Sequence, residues 1–163
     1  MRRAAAGDPE AAHLPAHLTL LGPTDVDSTE IPVIDRHLLA VAERHEPFWL
    51  LLRGTGTFRP VTQVVFVAVA KGISNCERLH RAVLTAPVTL RSQRFPYHPH
   101  VTVAHDVAPD QLDAVFADLA GFQAEFEVTG FTLFEHTPEG HWREQRVYKL
   151  GGPRDGLSSQ RRR

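Results

Sequence analysis

At 163 residues the chain has the size of one domain, long enough to bury a substantial core. Apolar residues make up 42% and charged residues 23%, an ordinary balance for a soluble globular protein. The formal net charge of −1 gives no whole-molecule field to attract nucleic acid, so any anion site has to be locally basic.

Cys76 is the single cysteine, which excludes an internal disulfide, and no CxxC or Cys/His ladder exists for structural zinc. The start, MRRAAAGDPEAA, has basic residues but lacks the apolar core of a signal peptide. No apolar run approaches the roughly 20 residues that a membrane span needs. A cytoplasmic enzyme or binding module, with no membrane partner, is the expectation.

His17 to Leu21 reads as a strand ended by Gly22-Pro23. Residues 34 to 46 place Ile34, Leu38, Leu39, Val41 and Ala42 near helical spacing, and Pro47 stops the run. Segments 48–58 and 61–70 read as paired strands joined through Arg59-Pro60, the second rich in Val. Ser74 is placed to cap a helix reaching about Leu84, with Glu77 in the capping-box position. The strand HVTVAH follows, and Asp110 is placed to cap a helix over 111–121, where Leu112, Val115, Phe116 and Leu119 share a face. Two strand-like segments, 122–136 and 141–150, complete the series. The predicted domain spans 1–150, and the Gly-, Ser- and Arg-rich stretch 151–163 reads as a basic tail.

The order of these segments repeats. From His17 the chain gives strand, helix, RGTGTF and an apolar strand; from His100 it gives strand, helix, TGFTLF and a strand. Gly54 with Phe58 and Gly130 with Phe134 occupy corresponding strands. The predicted fold is therefore α+β: two pseudo-symmetric lobes around a central groove, each an antiparallel sheet with covering helices.

Each repeat opens on His-x-Thr and an apolar residue: HLTL at 17–20 and HVTV at 100–103. A lone match carries little weight in a chain with ten histidines, but two on corresponding strands are harder to dismiss. Residues i and i+2 of a strand share a face, so His17 projects with Thr19 and His100 with Thr102. Two imidazoles flanking one phosphate can take complementary states, one neutral and accepting a proton, the other charged and donating it. Threonine hydroxyls can donate to the non-bridging oxygens. No metal is needed for that chemistry, and no cofactor is expected.

In PAHLTLLGP and PHVTVAH, in their separation and in the order of segments, the chain resembles the 2H phosphoesterases, which include the LigT-like 2′-5′ RNA ligase and cyclic phosphodiesterase groups. The resemblance covers roughly residues 10–150. It implies reaction at a 2′,3′-cyclic phosphate or a 2′-5′ phosphodiester of a nucleotide or RNA end. It implies too that His17 and His100 are the acid–base pair, and that Thr19 and Thr102 orient the phosphate.

The chain departs from the family's pattern in two places. Members usually have an apolar strand and a helix before the first motif, yet sixteen residues precede His17; a missing strand leaves a sheet edge open to pairing, so a homodimer is expected. His105 stands where many LigT-like proteins carry an arginine, and in a regular strand it would lie on the face opposite His100. Arg91 and Arg94 are placed to guide phosphate to the groove, and Tyr97 to stack a base; both arginines also suit a soluble surface. Arg53 and Arg59 share that ambiguity. Two rival readings stand beside the enzyme: a non-catalytic binder of nucleotides or RNA ends, and a metallohydrolase using His17, His98 and His100.

Overall fold

In a strand, β-branched side chains pack well against their neighbours, and the Val-rich run forms the centre of the main sheet. The computed structural model describes residues 14–88 and 95–151. In it, β1 (Phe48–Thr57) and β2 (Val64–Lys71) pair antiparallel. β1 buries Phe48, Leu50 and Leu52 and leaves Trp49 exposed, as the two-residue period of a strand requires. Its pairing shifts register between Leu52 and Thr55, where Gly54 takes φ +69°, a left-handed conformation that is cheap for glycine.

β3 (His100–His105) joins the far side of β2, and β4 (Gln123–Val128) joins β1, giving the order β3-β2-β1-β4. The segment 122–136, expected as one strand, is two. The chain leaves the first sheet after Val128 and begins a second with β5 (Gly130–His136), paired to β6 (Trp142–Lys149). Gly130 permits the change of sheet, because a Cβ there would lie 2.7 Å from the Tyr148 carbonyl oxygen. The strand bearing the second His-x-Thr thus pairs with the hairpin of the first repeat. Two antiparallel sheets with covering helices make the α+β arrangement that the sequence predicts.

Helix ends differ from the expected ones for local reasons. α1 (Ile31–Glu43) starts earlier than residue 34, because Pro32 falls in the first turn, where its missing N–H is harmless. A 3-10 turn, Ser28–Glu30, leads into it, with Asp27 Oδ1 accepting from the Thr29 amide at 2.8 Å. α2 (Ile73–Leu84) is preceded by Gly72 at φ +94°, and Ser74 lies inside the helix instead of capping it. A Cβ on Gly72 would sit 2.9 Å from the Trp49 carbonyl oxygen, so this tight turn leaves the cap to glycine. α3 (Pro109–Asp118) takes in Asp110; the Ala108 amide instead donates to Gln111 Oε1 at 3.2 Å.

The core collects one stripe from each helix. Leu38, Val41 and Ala42 of α1, Cys76, Leu79 and Val83 of α2, and Leu112 of α3 meet Val65, Val67 and Val69 of β2. Each fully buried aliphatic side chain contributes about 1.5–3 kcal/mol. The second sheet is fastened to α1 through Asp35, which accepts hydrogen bonds from Tyr148 Oη at 2.7 Å and from Arg146. Among the described residues no helix is long and apolar enough to cross a membrane. Arg91, Arg94 and the end from 152 onward, read as a tail, lie outside the described residues.

Candidate functional site

Across antiparallel strands, partners in register share a face. β3 pairs His100 with Ala68, Val101 with Val67 and Thr102 with Phe66. Val67 points into the core at 3% exposure, so Val101 follows it inward while His100 and Thr102 look out of the opposite face. On its other side β3 meets the first motif through one bridge, Leu18 with Val101, again antiparallel. The sequence predicts a strand from His17 to Leu21, whereas a single bridged residue is what forms.

That bridge fixes the geometry of the site. With Leu18 opposite Val101, His17 lies opposite Thr102 and Thr19 opposite His100, all four turned away from the core. Opposite residues have Cβ atoms about 4.5–5.5 Å apart and diagonal ones about 7–8 Å. The bridge brings the two motif segments side by side, and His17 lies near enough to His100 to act on it electrostatically. The local two-fold axis runs through the Leu18–Val101 pair.

Both rings are anchored in the same way. His17 Nδ1 lies 2.8 Å from the Pro15 carbonyl oxygen, and His100 Nδ1 lies 2.7 Å from that of His98. A carbonyl oxygen only accepts, so each Nδ1 carries a proton and each Nε2 is left for chemistry. Repetition of this two-residue back-bond in distant segments is stronger support for a paired site than either histidine alone.

The two histidines differ in their surroundings. Phe58 and Phe66 pack edge-on or tilted against His100, at ring-centroid distances of 5.0 and 5.2 Å, and against His98 at 5.5 and 5.4 Å. Burial holds the His100 imidazole below the ordinary histidine range; the bond to the His98 carbonyl opposes this, and the nearby His98 and His17 rings reinforce it. Gly56, opposite Phe66 in register, makes the wall possible, because a Cβ there would lie 2.5 Å from the Phe66 ring.

His105 departs from its expected place. β3 pairs Ala104 with Val65 but Thr102 with Phe66, so Val103 is an extra residue, a bulge. Val103 and Ala104 are both buried, and the face alternation resets. His105, opposite Val64, therefore shares the face of Thr102 and His100 instead of the opposite one. Its Nε2 lies 3.1 Å from Asp106 Oδ2, and Asp106 itself has φ +50°.

The remaining candidates are placed as follows. Tyr97 stacks on His80, with ring centroids 4.0 Å apart, so one of its faces is already covered. Arg59 is held by Asp113 at 2.8 Å and by Thr57, a tie between the β1–β2 turn and α3; Arg53 is exposed. Among the described residues no group of three His, Cys, Asp or Glu side chains is arranged to hold a metal ion, which includes the His17, His98 and His100 trio. Cys76 packs in the core, and burial pushes its thiol up to about 11.

Sequence reasoning passed over Phe66, Gly56 and His80. Gly56, near the end of β1, stands two residues before Phe58, and a glycine inside a strand marks a close approach. His80 falls on the apolar stripe of α2 with Cys76, Leu79 and Val83, and a histidine among core positions is a visible anomaly.

Comparison with known proteins gives the family. Residues 1–139 match the 2′-5′ RNA ligase superfamily. A protein of Halalkalibacterium halodurans, provisionally named a phosphoesterase, is 26% identical over 146 residues, covering 88% of this chain and 84% of the relative. A like-named protein of Oceanobacillus iheyensis is 27% identical, covering 88% and 85%. Among solved structures, TT0787 of Thermus thermophilus is similar at 27% identity and TM-score 0.62, covering 93% of this chain and 92% of that one. E. coli LigT complexed with NADP+ has 25% identity and TM-score 0.62, covering 92% and 91%. The LigT complex with 3′-AMP, at 20% identity and TM-score 0.63 with 91% of each chain covered, shares the fold. The chain belongs to the 2′-5′ RNA ligase superfamily, the 2H phosphoesterases.

Proposed function

We propose that this protein is a phosphodiesterase that opens the 2′,3′-cyclic phosphate of a nucleotide or RNA end, with 2′-5′ phosphodiesters as a related substrate. The observation that carries this reading is the Leu18–Val101 bridge, which sets the two His-x-Thr segments side by side. Phosphoesterase naming among the relatives supports it. So does 3′-AMP in a LigT structure, since a nucleoside monophosphate is what hydrolysis of a cyclic phosphate leaves.

In this reading His100 is the general base. Its burial favours the neutral ring, and its Nδ1 proton is committed to the His98 carbonyl, so Nε2 is free to accept. Water attacks phosphorus as Nε2 of His100 takes its proton; the bond from phosphorus to one ribose oxygen breaks, and Nε2 of His17 protonates that oxygen. Thr19 and Thr102 donate to the non-bridging oxygens, where charge builds in the transition state. Each step uses the chain's own groups, and the rate should survive chelator. His105, Tyr97, Arg91 and Arg94 are the residues proposed to bind the substrate.

The test is turnover of a panel of 2′,3′-cyclic nucleotides and 2′-5′ dinucleotides, with EDTA present, by the wild-type protein. Hydrolysis is expected. Binding of cyclic nucleotide and product with equal affinity and no turnover would replace the enzyme with a binder.

A further inference from the structure

The first motif is thinly held. Among the described residues Leu18 alone bridges it to β3, yet one phosphate meets both imidazoles only if His17 keeps a fixed distance from His100. α2 supplies a second tie. The His80 ring is 8% exposed, and its Nδ1 lies 2.6 Å from the Leu20 carbonyl oxygen, to which it donates. The same ring stacks on Tyr97 with an interplanar angle of 6°. Leu20 is three residues after His17 and Tyr97 three before His100. One buried imidazole therefore touches both motif segments at matching chain distance.

A leucine or phenylalanine would serve the apolar stripe of α2 equally well. Burying a polar ring is costly unless its N–H is paired, and the pairing here reaches across 60 residues of sequence to the motif segment. Tyr97 adds to that cost, because its Oη is buried with no hydrogen-bond partner. What the Tyr97 ring gains in return is the stack on His80.

We propose that His80 is a positioning residue of the phosphodiester site: bonded to Leu20 and stacked on Tyr97, it sets the separation of His17 from His100. The inference rests on the phosphodiesterase reading above. It separates two roles that ordinary packing would merge, the hydrogen bond to one segment and the stack on the other.

Two substitutions divide those roles. His80→Phe keeps a ring for the stack and loses the donor; His80→Asn keeps an N–H donor and loses the stack. Each variant is checked for folding by circular dichroism and Tm, for kcat and KM on a 2′,3′-cyclic nucleotide, and for the imidazole NMR resonances of His17 and His100 in the ligand-free protein. Folded His80→Phe is expected to lose on the order of 100-fold in kcat with little change in KM, as a small misplacement of reacting groups does. Its His17 resonance should broaden or split while that of His100 stays single. His80→Asn should recover part of the rate and a single His17 line.

Wild-type kcat and an unchanged His17 line in the folded variants would overturn the proposal. So would a loss of rate that only tracks the unfolded fraction. If His80→Phe does not fold, Tyr97→Leu removes the stack from the other side, and the same readouts decide. Should the wild-type protein cleave none of the panel substrates, the phosphodiesterase reading falls, while the His17 resonance still tests the positioning.

Discussion

The two motif segments carry the same residues in the same order and are supported very differently. HVTV stands on β3, laddered along β2 with five paired positions and bordered on its other side by the first motif. Among the described residues HLTL touches the sheet at Leu18 and is held otherwise by apolar contacts of Leu18, Leu20 and Leu21 and by the His80 bond. His100 sits against Phe58 and Phe66, and burial lowers its pKa. An acid–base pair needs its members in opposite protonation states, and a lowered pKa at His100 suits the neutral, accepting member.

The comparison is broken most severely by removing an imidazole. His100→Ala and His17→Ala should each lower kcat by roughly 100- to 10,000-fold on a cyclic nucleotide, the scale of general acid–base catalysis, with circular dichroism unchanged. Thr19→Val and Thr102→Val keep shape and remove a donor; about 100-fold in kcat is the expected loss for each. A larger loss at Thr102, the residue on the laddered strand, would show that rigidity of support matters as much as the hydroxyl.

A pH profile sharpens the comparison. The neutral form of His100 is the active base, and burial lowers its pKa. The acid limb of kcat/KM should therefore fall below the ordinary histidine value of about 6.5. Phe58→Ala exposes the ring, weakens the desolvation that lowers the pKa, and should move that limb to higher pH. The smallest effect belongs to His105. Its replacement by alanine should raise KM about tenfold or less, the scale of one polar contact, and leave kcat near wild type.

Much of the site could be read from the sequence, because its signal is local: i and i+2 in an extended segment share a face whatever the tertiary setting. Helices and strands were legible for a similar reason, as the apolar spacing of Leu38, Val41 and Ala42 shows. What could not be read depends on partners far along the chain. The Val103 bulge has no local mark, since Val103 and Ala104 are ordinary strand residues, and only the register with Val65 and Phe66 turns His105 to the face of His100. The break at Thr129 is set by the close approach of Gly130 to Tyr148. The strand read into residues 17–21 rested on apolar content, which gave the packing of Leu18, Leu20 and Leu21 but a single bridge.

The most direct test of a shared two-histidine centre is a double-mutant cycle on a 2′,3′-cyclic nucleotide with chelator present, comparing His17→Ala, His100→Ala and the double variant. Groups that act on one phosphorus as a unit are strongly non-additive, so the double variant is expected to be about as slow as the slower single one. Losses that multiply, or near wild-type turnover in either single variant, would contradict a site in which the two imidazoles work on the same bond.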